Sequence, residues 1–110
     1  MPALRQLRDL QHLASRQGRR GAIARVADEL EHNAVELQHS DSPLVLFASL
    51  RFDAWRADHV AVGRWLSEYP ELFASISDMY YALELIATGQ PPPPAGRLYS
   101  ASQTLRATIR

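Results

Sequence analysis

The chain has 110 residues, 46% of them hydrophobic and 22% charged, with 12 basic against 12 acidic side chains and no cysteine. That length fits roughly one domain around one core, and the missing cysteine excludes a disulfide framework, an iron–sulfur cluster, a thiolate zinc site and a cysteine nucleophile. Zero net charge argues against a protein built wholly around a polyanion, and no stretch approaches the roughly 20 apolar residues of a membrane span, so a cytoplasmic location is expected.

From Pro2 to Gln17, Leu4, Leu7, Leu10, Leu13 and Ala14 recur at spacings of three and four, with Arg5, Arg8, Asp9 and Gln11 mostly elsewhere. This is an amphipathic helix. Gly18-Arg19-Arg20-Gly21 should break or kink it, because a glycine in a helix interior costs about 1 kcal/mol. Between Ala22 and His39 the stripe Ile23, Val26, Ala27, Leu30, Ala34 and Leu37 predicts a second helix.

Ser42 before Pro43 combines an N-cap with a first-turn proline and starts a further helix, with Leu44, Phe47, Ala48 and Leu50 on its buried side. Asp53 reads as the N-cap of the next, whose stripe is Trp55, His59, Val62, Leu66 and Tyr69. Pro70 ends that helix and opens one reaching Thr88, with Leu72, Phe73, Ile76, Met79, Tyr80, Leu83 and Ile86 on the apolar face and Gly89 at the C′ position. Pro91 to Pro94 form a stiff extended spacer. Beyond it Leu98, Ala101, Ser102, Leu105 and Ile109 mark a short helix that must lie against something. With no alternating strand pattern, the fold class is all-α: a small bundle of about five helices over residues 1–90, a spacer over 91–96 and a helical arm over 97–110.

Glu29-Leu30-Glu31-His32-Asn33, then Ala54-Trp55, then Pro70-Glu71-Leu72 leading to Tyr80, Leu83 and Ile86 resemble a loose group of small uncharacterised bacterial helical domains. The resemblance covers about residues 22–88. Many members of that group carry a membrane helix ahead of the domain, whereas no membrane span is expected here. It implies an all-helical fold of bacterial origin and transfers no activity and no functional residue.

The sharpest chemical pattern is a doubled Glu-x-x-His, Glu29 with His32 and Glu36 with His39. That spacing sets a carboxylate and an imidazole on one helix face, as in di-iron bundles. At 100° per residue the four residues fall outside the apolar stripe, so they read first as a solvated face and second as a metal site. His59 lies inside the stripe of its helix and is expected to be a buried, neutral, hydrogen-bonded imidazole. Asn33 is expected to bond a loop backbone or to fix the register of a dimer. The aromatic residues of the second half are core first, with Trp65, at the edge of its stripe, the best interface residue among them. There is no glycine-rich phosphate loop, no nucleophile elbow and no His-Glu-x-x-His.

Charge is segregated. Residues 1–25 hold six arginines and Asp9, for +5, residues 26–90 sum to −8, and residues 91–110 to +3. All twelve bases are arginine, which fits either codon usage in a GC-rich genome or a need for guanidinium forks that grip carboxylate or phosphate. The basic ends fold onto the acidic middle of the same or a partner chain, or meet an anionic partner, either nucleic acid through Arg16, Arg19, Arg20 and Arg25 or an acidic membrane through the first amphipathic helix, or are ordinary solvated surface. Together these features describe a non-enzymatic interaction or assembly module without a cofactor, expected as a homodimer, with Leu98, Leu105 and Ile109 as arm contacts.

Overall fold

A single helix organises the molecule. In the computed structural model, which describes the backbone of residues 2–40 and 42–110 and the side chains of residues 17–40 and 42–110, α1 runs from Pro2–His39 without interruption. It is followed by α2 (Pro43–Ser49), α3 (Asp53–Trp65), α4 (Pro70–Leu85), a 3-10 turn (Ile86–Thr88) and α5 (Ala95–Ala107). The molecule measures 62 × 24 × 21 Å, its long axis close to that of a 38-residue helix at 1.5 Å per residue. The fold is all-α, with five helices and no strand among the described residues.

The expected break at Gly18–Gly21 is absent. Two glycines cost a helix about 2 kcal/mol together, but propagation from an already formed helix needs no new nucleus. The described part of α1 beyond them is anchored by Ala22, Ile23, Val26, Ala27 and Leu30, all essentially free of solvent. Among the described residues the only glycine with a positive φ is Gly89 (φ 90°), which closes the 3-10 turn as a left-handed cap where the sequence placed one.

α5 packs chiefly on one flank of α1 and α3 on the other, while α4 rests on α3 and α5. Val62 and Leu66 of α3, Ile76, Tyr80 and Leu83 of α4, and Leu98 and Leu105 of α5 meet the α1 stripe in one continuous core. Small residues permit the close approach of α1 and α5. Ser102, fully buried, donates its hydroxyl to the Ala27 carbonyl at 2.7 Å. At the α3–α4 contact, a Cβ on Gly63 would lie 3.2 Å from the Phe73 ring, which explains a glycine in mid-helix.

Several expected faces differ. In α2 the buried residue is Leu46, with Leu50 after the helix end, whereas Leu44 is 82% exposed and Ala48 also faces solvent. A helix of seven residues has too few turns for its period to define a face. His59 and Tyr69 of the predicted α3 stripe are exposed as well. The His59 ring lies on Trp55, with Nδ1 3.1 Å from the Trp55 carbonyl, so the imidazole expected in the core sits at its rim. Finally, α5 folds back onto its own α1 as a full member of the core, with Leu98 and Leu105 wholly buried there.

Candidate functional site

The segment Glu29-Leu30-Glu31-His32-Asn33 forms a polar clamp at the centre of the bundle. Helical spacing sets Glu29, His32 and Asn33 along one side of α1, and that side faces the joint between α2 and α3. There Asn33 acts as a peptide mimic. Its Nδ2 donates to the Arg51 carbonyl at 2.9 Å and its Oδ1 accepts from the Arg51 N–H at 2.8 Å. His32 Nε2 lies 2.9 Å from the Ser49 carbonyl, one residue before the joint straightens at Leu50. Of the two expected roles for Asn33, the structure selects the loop backbone.

Glu29 is the unexpected member. Rather than facing solvent it is 6% exposed, and its carboxylate accepts from the N–H groups of Ala54 (2.8 Å) and Trp55 (3.0 Å). These are among the first N–H groups of α3, which have no partner within the helix. Asp53, expected to be the N-cap, is the first helical residue, Phe52 holds the cap position, and no local side chain bonds there. A carboxylate from another helix does the capping. The positive end of the α3 dipole adds to the attraction.

The Tyr80 hydroxyl completes the shell by donating to Glu29 Oε1 at 2.8 Å. Burial above all, and then the neighbouring carboxylate it bonds, hold that hydroxyl well above the ordinary tyrosine range. Its ring stacks on Trp55 at 4.7 Å and 6°, so cap, tyrosine and tryptophan form one unit. Replacing Asn33 by alanine is expected to cost about 2 kcal/mol, the price of leaving one buried donor and one acceptor in the joint unpaired. Urea denaturation measures it, and a loss below 0.5 kcal/mol would mean that water replaces both bonds.

An open depression of about 580 Å³ lies beside the clamp, lined by Arg25, Asp28, Glu29, Arg51, Asp53 and Asp58 among others. Three of its charged residues, Arg25, Asp28 and Asp58, are engaged in ion pairs. Arg25 grips Asp58 with two bonds of 2.8 and 3.1 Å, and Asp28 accepts from Arg106. No buried side-chain polar atom among the described residues lacks a partner.

The four residues of the doubled Glu-x-x-His do not converge. Glu29 and His32 are committed to the clamp, while Glu36 and His39 line a separate polar hollow with Ser40, Ser42, Val45 and Ser49. Among the described residues no group of three or more histidines and carboxylates is placed to hold a metal ion.

The basic ends do fold onto the acidic middle at two points. Arg106 of α5 donates to Asp28 (2.7 Å) and Glu31 (2.5 Å), and Arg25 takes Asp58. Arg20 reaches the Ile109 carbonyl just past the end of α5, while Arg19 is exposed. Trp65 is half-buried, its Nε1 donating to Thr108 Oγ1 at 3.1 Å, and Ile109 is half-buried beside the core. Leu4, Leu7, Leu10, Leu13 and Arg16 lie outside the described side chains. The sequence carried a signal for the clamp in the polar residues bordering the α1 stripe, but nothing local paired Glu29 with Tyr80, 51 positions away. No helix among the described residues is long and apolar enough to cross a membrane. The chain matches no protein-family model, no curated protein and no solved structure.

Proposed function

We propose that the protein is a non-enzymatic interaction module: the bundle holds α1 rigidly from Gly21 onward, and the N-terminal part of the same helix meets the partner. The observation that carries this reading is the register of α1. Residues seven apart on a helix lie nearly in line, drifting by about 20°. Counting back from the line of the buried Ile23 and Leu30 and the half-buried Leu37 leads to Arg16 and Asp9, and from the buried Val26 and Asn33 to Arg19, His12 and Arg5. Counting back from the exposed Asp28 and Val35 leads through Gly21 to Ala14 and Leu7, and from Ala24 to Leu10 and Ala3.

The apolar side of the helix therefore changes over at Gly18–Gly21. Ahead of it, Leu7, Leu10 and Ala14 follow lines that farther along lie off the fully buried stripe, while Leu13 stays in line with the buried Ala27 and Ala34. A continuous helix cannot bring both stripes to one core. The saturation of the central polar groups by structural bonds supports a binding role over a catalytic one.

Joint replacement of Leu7 and Leu10 by glutamine tests the reading. The thermal unfolding transition of the dilute protein should move by less than about 2 °C, as for surface substitutions. Were the two leucines packed on their own bundle, each would cost about 2 kcal/mol or more and the midpoint would fall by roughly 10 °C or more.

A further inference from the structure

Resting on the reading of α1 as a contact helix, we infer that the surface it meets is an anionic lipid bilayer. Charge complementarity points there first. Residues 1–25 carry six arginines and one acid, with leucine and alanine segregated on another side of the same helix. Leu7, Leu10 and Ala14 on one side, with Arg5, Arg8, Arg16 and Arg19 on the other, are the pattern of a helix that lies in the headgroup region of a negatively charged membrane.

The second argument is placement. The Leu7 line continues along α1 to the exposed Asp28 and Val35, and the Leu10 line to the half-buried Ala24 and Glu31, off the fully buried stripe of Ile23, Val26, Ala27 and Leu30.

The other occupants fit less well. Pairing the same side with a second copy would set two segments of +5 alongside each other. Duplex nucleic acid would use the arginines and leave the leucine side without purpose.

The test is flotation of the full chain with vesicles of equal parts phosphatidylglycerol and phosphatidylcholine, and with phosphatidylcholine vesicles alone. Binding to the first and not the second is expected. Replacing Arg5 and Arg8 by glutamine should weaken it about thirtyfold, at ~1 kcal/mol per arginine near the surface. Leu7→Gln with Leu10→Gln should weaken it by about tenfold or more.

Failure to float with anionic vesicles overturns the inference, as does binding that both double variants leave unchanged. Light scattering separates this from the contact reading itself. A dimer abolished by the leucine substitutions, without vesicle binding, keeps the contact helix and replaces lipid by a second copy. Duplex DNA binding lost only in the arginine variant, again without vesicle binding, replaces lipid by nucleic acid. A monomer that binds none of these overturns both.

Discussion

Replacing Glu29 by alanine is expected to destabilise the bundle by about 3–4 kcal/mol. The substitution removes the acceptor for the Ala54 and Trp55 N–H groups and for the Tyr80 hydroxyl. Each buried donor left unpaired costs about 1–3 kcal/mol, while water entering from the adjoining depression recovers part of it. Glu29→Gln keeps the shape and one acceptor oxygen but turns an amide donor toward one of these donors, so about half the loss should remain. Chemical denaturation with an unchanged slope is the measurement. A loss under 1 kcal/mol in the alanine variant would show that the cap contributes little.

The same unit sets an alkaline limit. Because folding raises the Tyr80 hydroxyl above its unfolded value, its contribution is fully present below about pH 10, the ordinary tyrosine value. It is lost as pH climbs beyond that point, since the unfolded chain then releases a proton that the folded chain keeps. Stability should fall by about 1.4 kcal/mol per pH unit above pH 10. Tyr80→Phe, less stable at neutral pH by about 1–2 kcal/mol, should lose that slope. An equal slope in both proteins would assign it to other groups.

Leu105→Ala is expected to cost about 3 kcal/mol, in the middle of the range for a fully buried leucine. In a domain of this size that lowers the unfolding midpoint by roughly 10–20 °C. Because α5 rests chiefly on α1, the loss should loosen the end of α5 first. The Trp65 indole, bonded to Thr108, would report this as a change of tryptophan emission below the main transition. A single transition with no early change would mean that α5 and the rest of the core unfold together.

The all-α fold was legible because helical periodicity is local. The stripe of Ile23, Val26, Leu30 and Ala34, the prolines at 43 and 70 and the left-handed Gly89 all behave as their spacing requires. What misled were features decided between elements. Glu29 looks like a surface carboxylate until α3 presents its unpaired N–H groups to it, and His59 looks like core until Trp55 and Tyr80 stack beneath its helix. Likewise, two glycines inside α1 read as a break, although helix continues through them. The direction taken by the C-terminal helix depended on Ser102 finding the Ala27 carbonyl, 75 positions away.

That last pairing has a consequence for how the chain comes to be folded during synthesis. The apolar stripe of α1 receives α3 and α5 on its two flanks, and the α5 flank is supplied by residues 98–105. At translation rates of about 5–20 residues per second, the α1 stripe waits on the order of several seconds between its own emergence and its full burial. Throughout that interval Ile23, Val26 and Leu30 form a half-covered apolar surface, available to chaperones or to another nascent chain. The ion pairs of Arg106 with Asp28 and Glu31 at the α1–α5 seam then favour the correct late partner by charge. α5 thus serves as the latch of the fold, and the time before it closes is an interval in which this chain is exposed to misassembly.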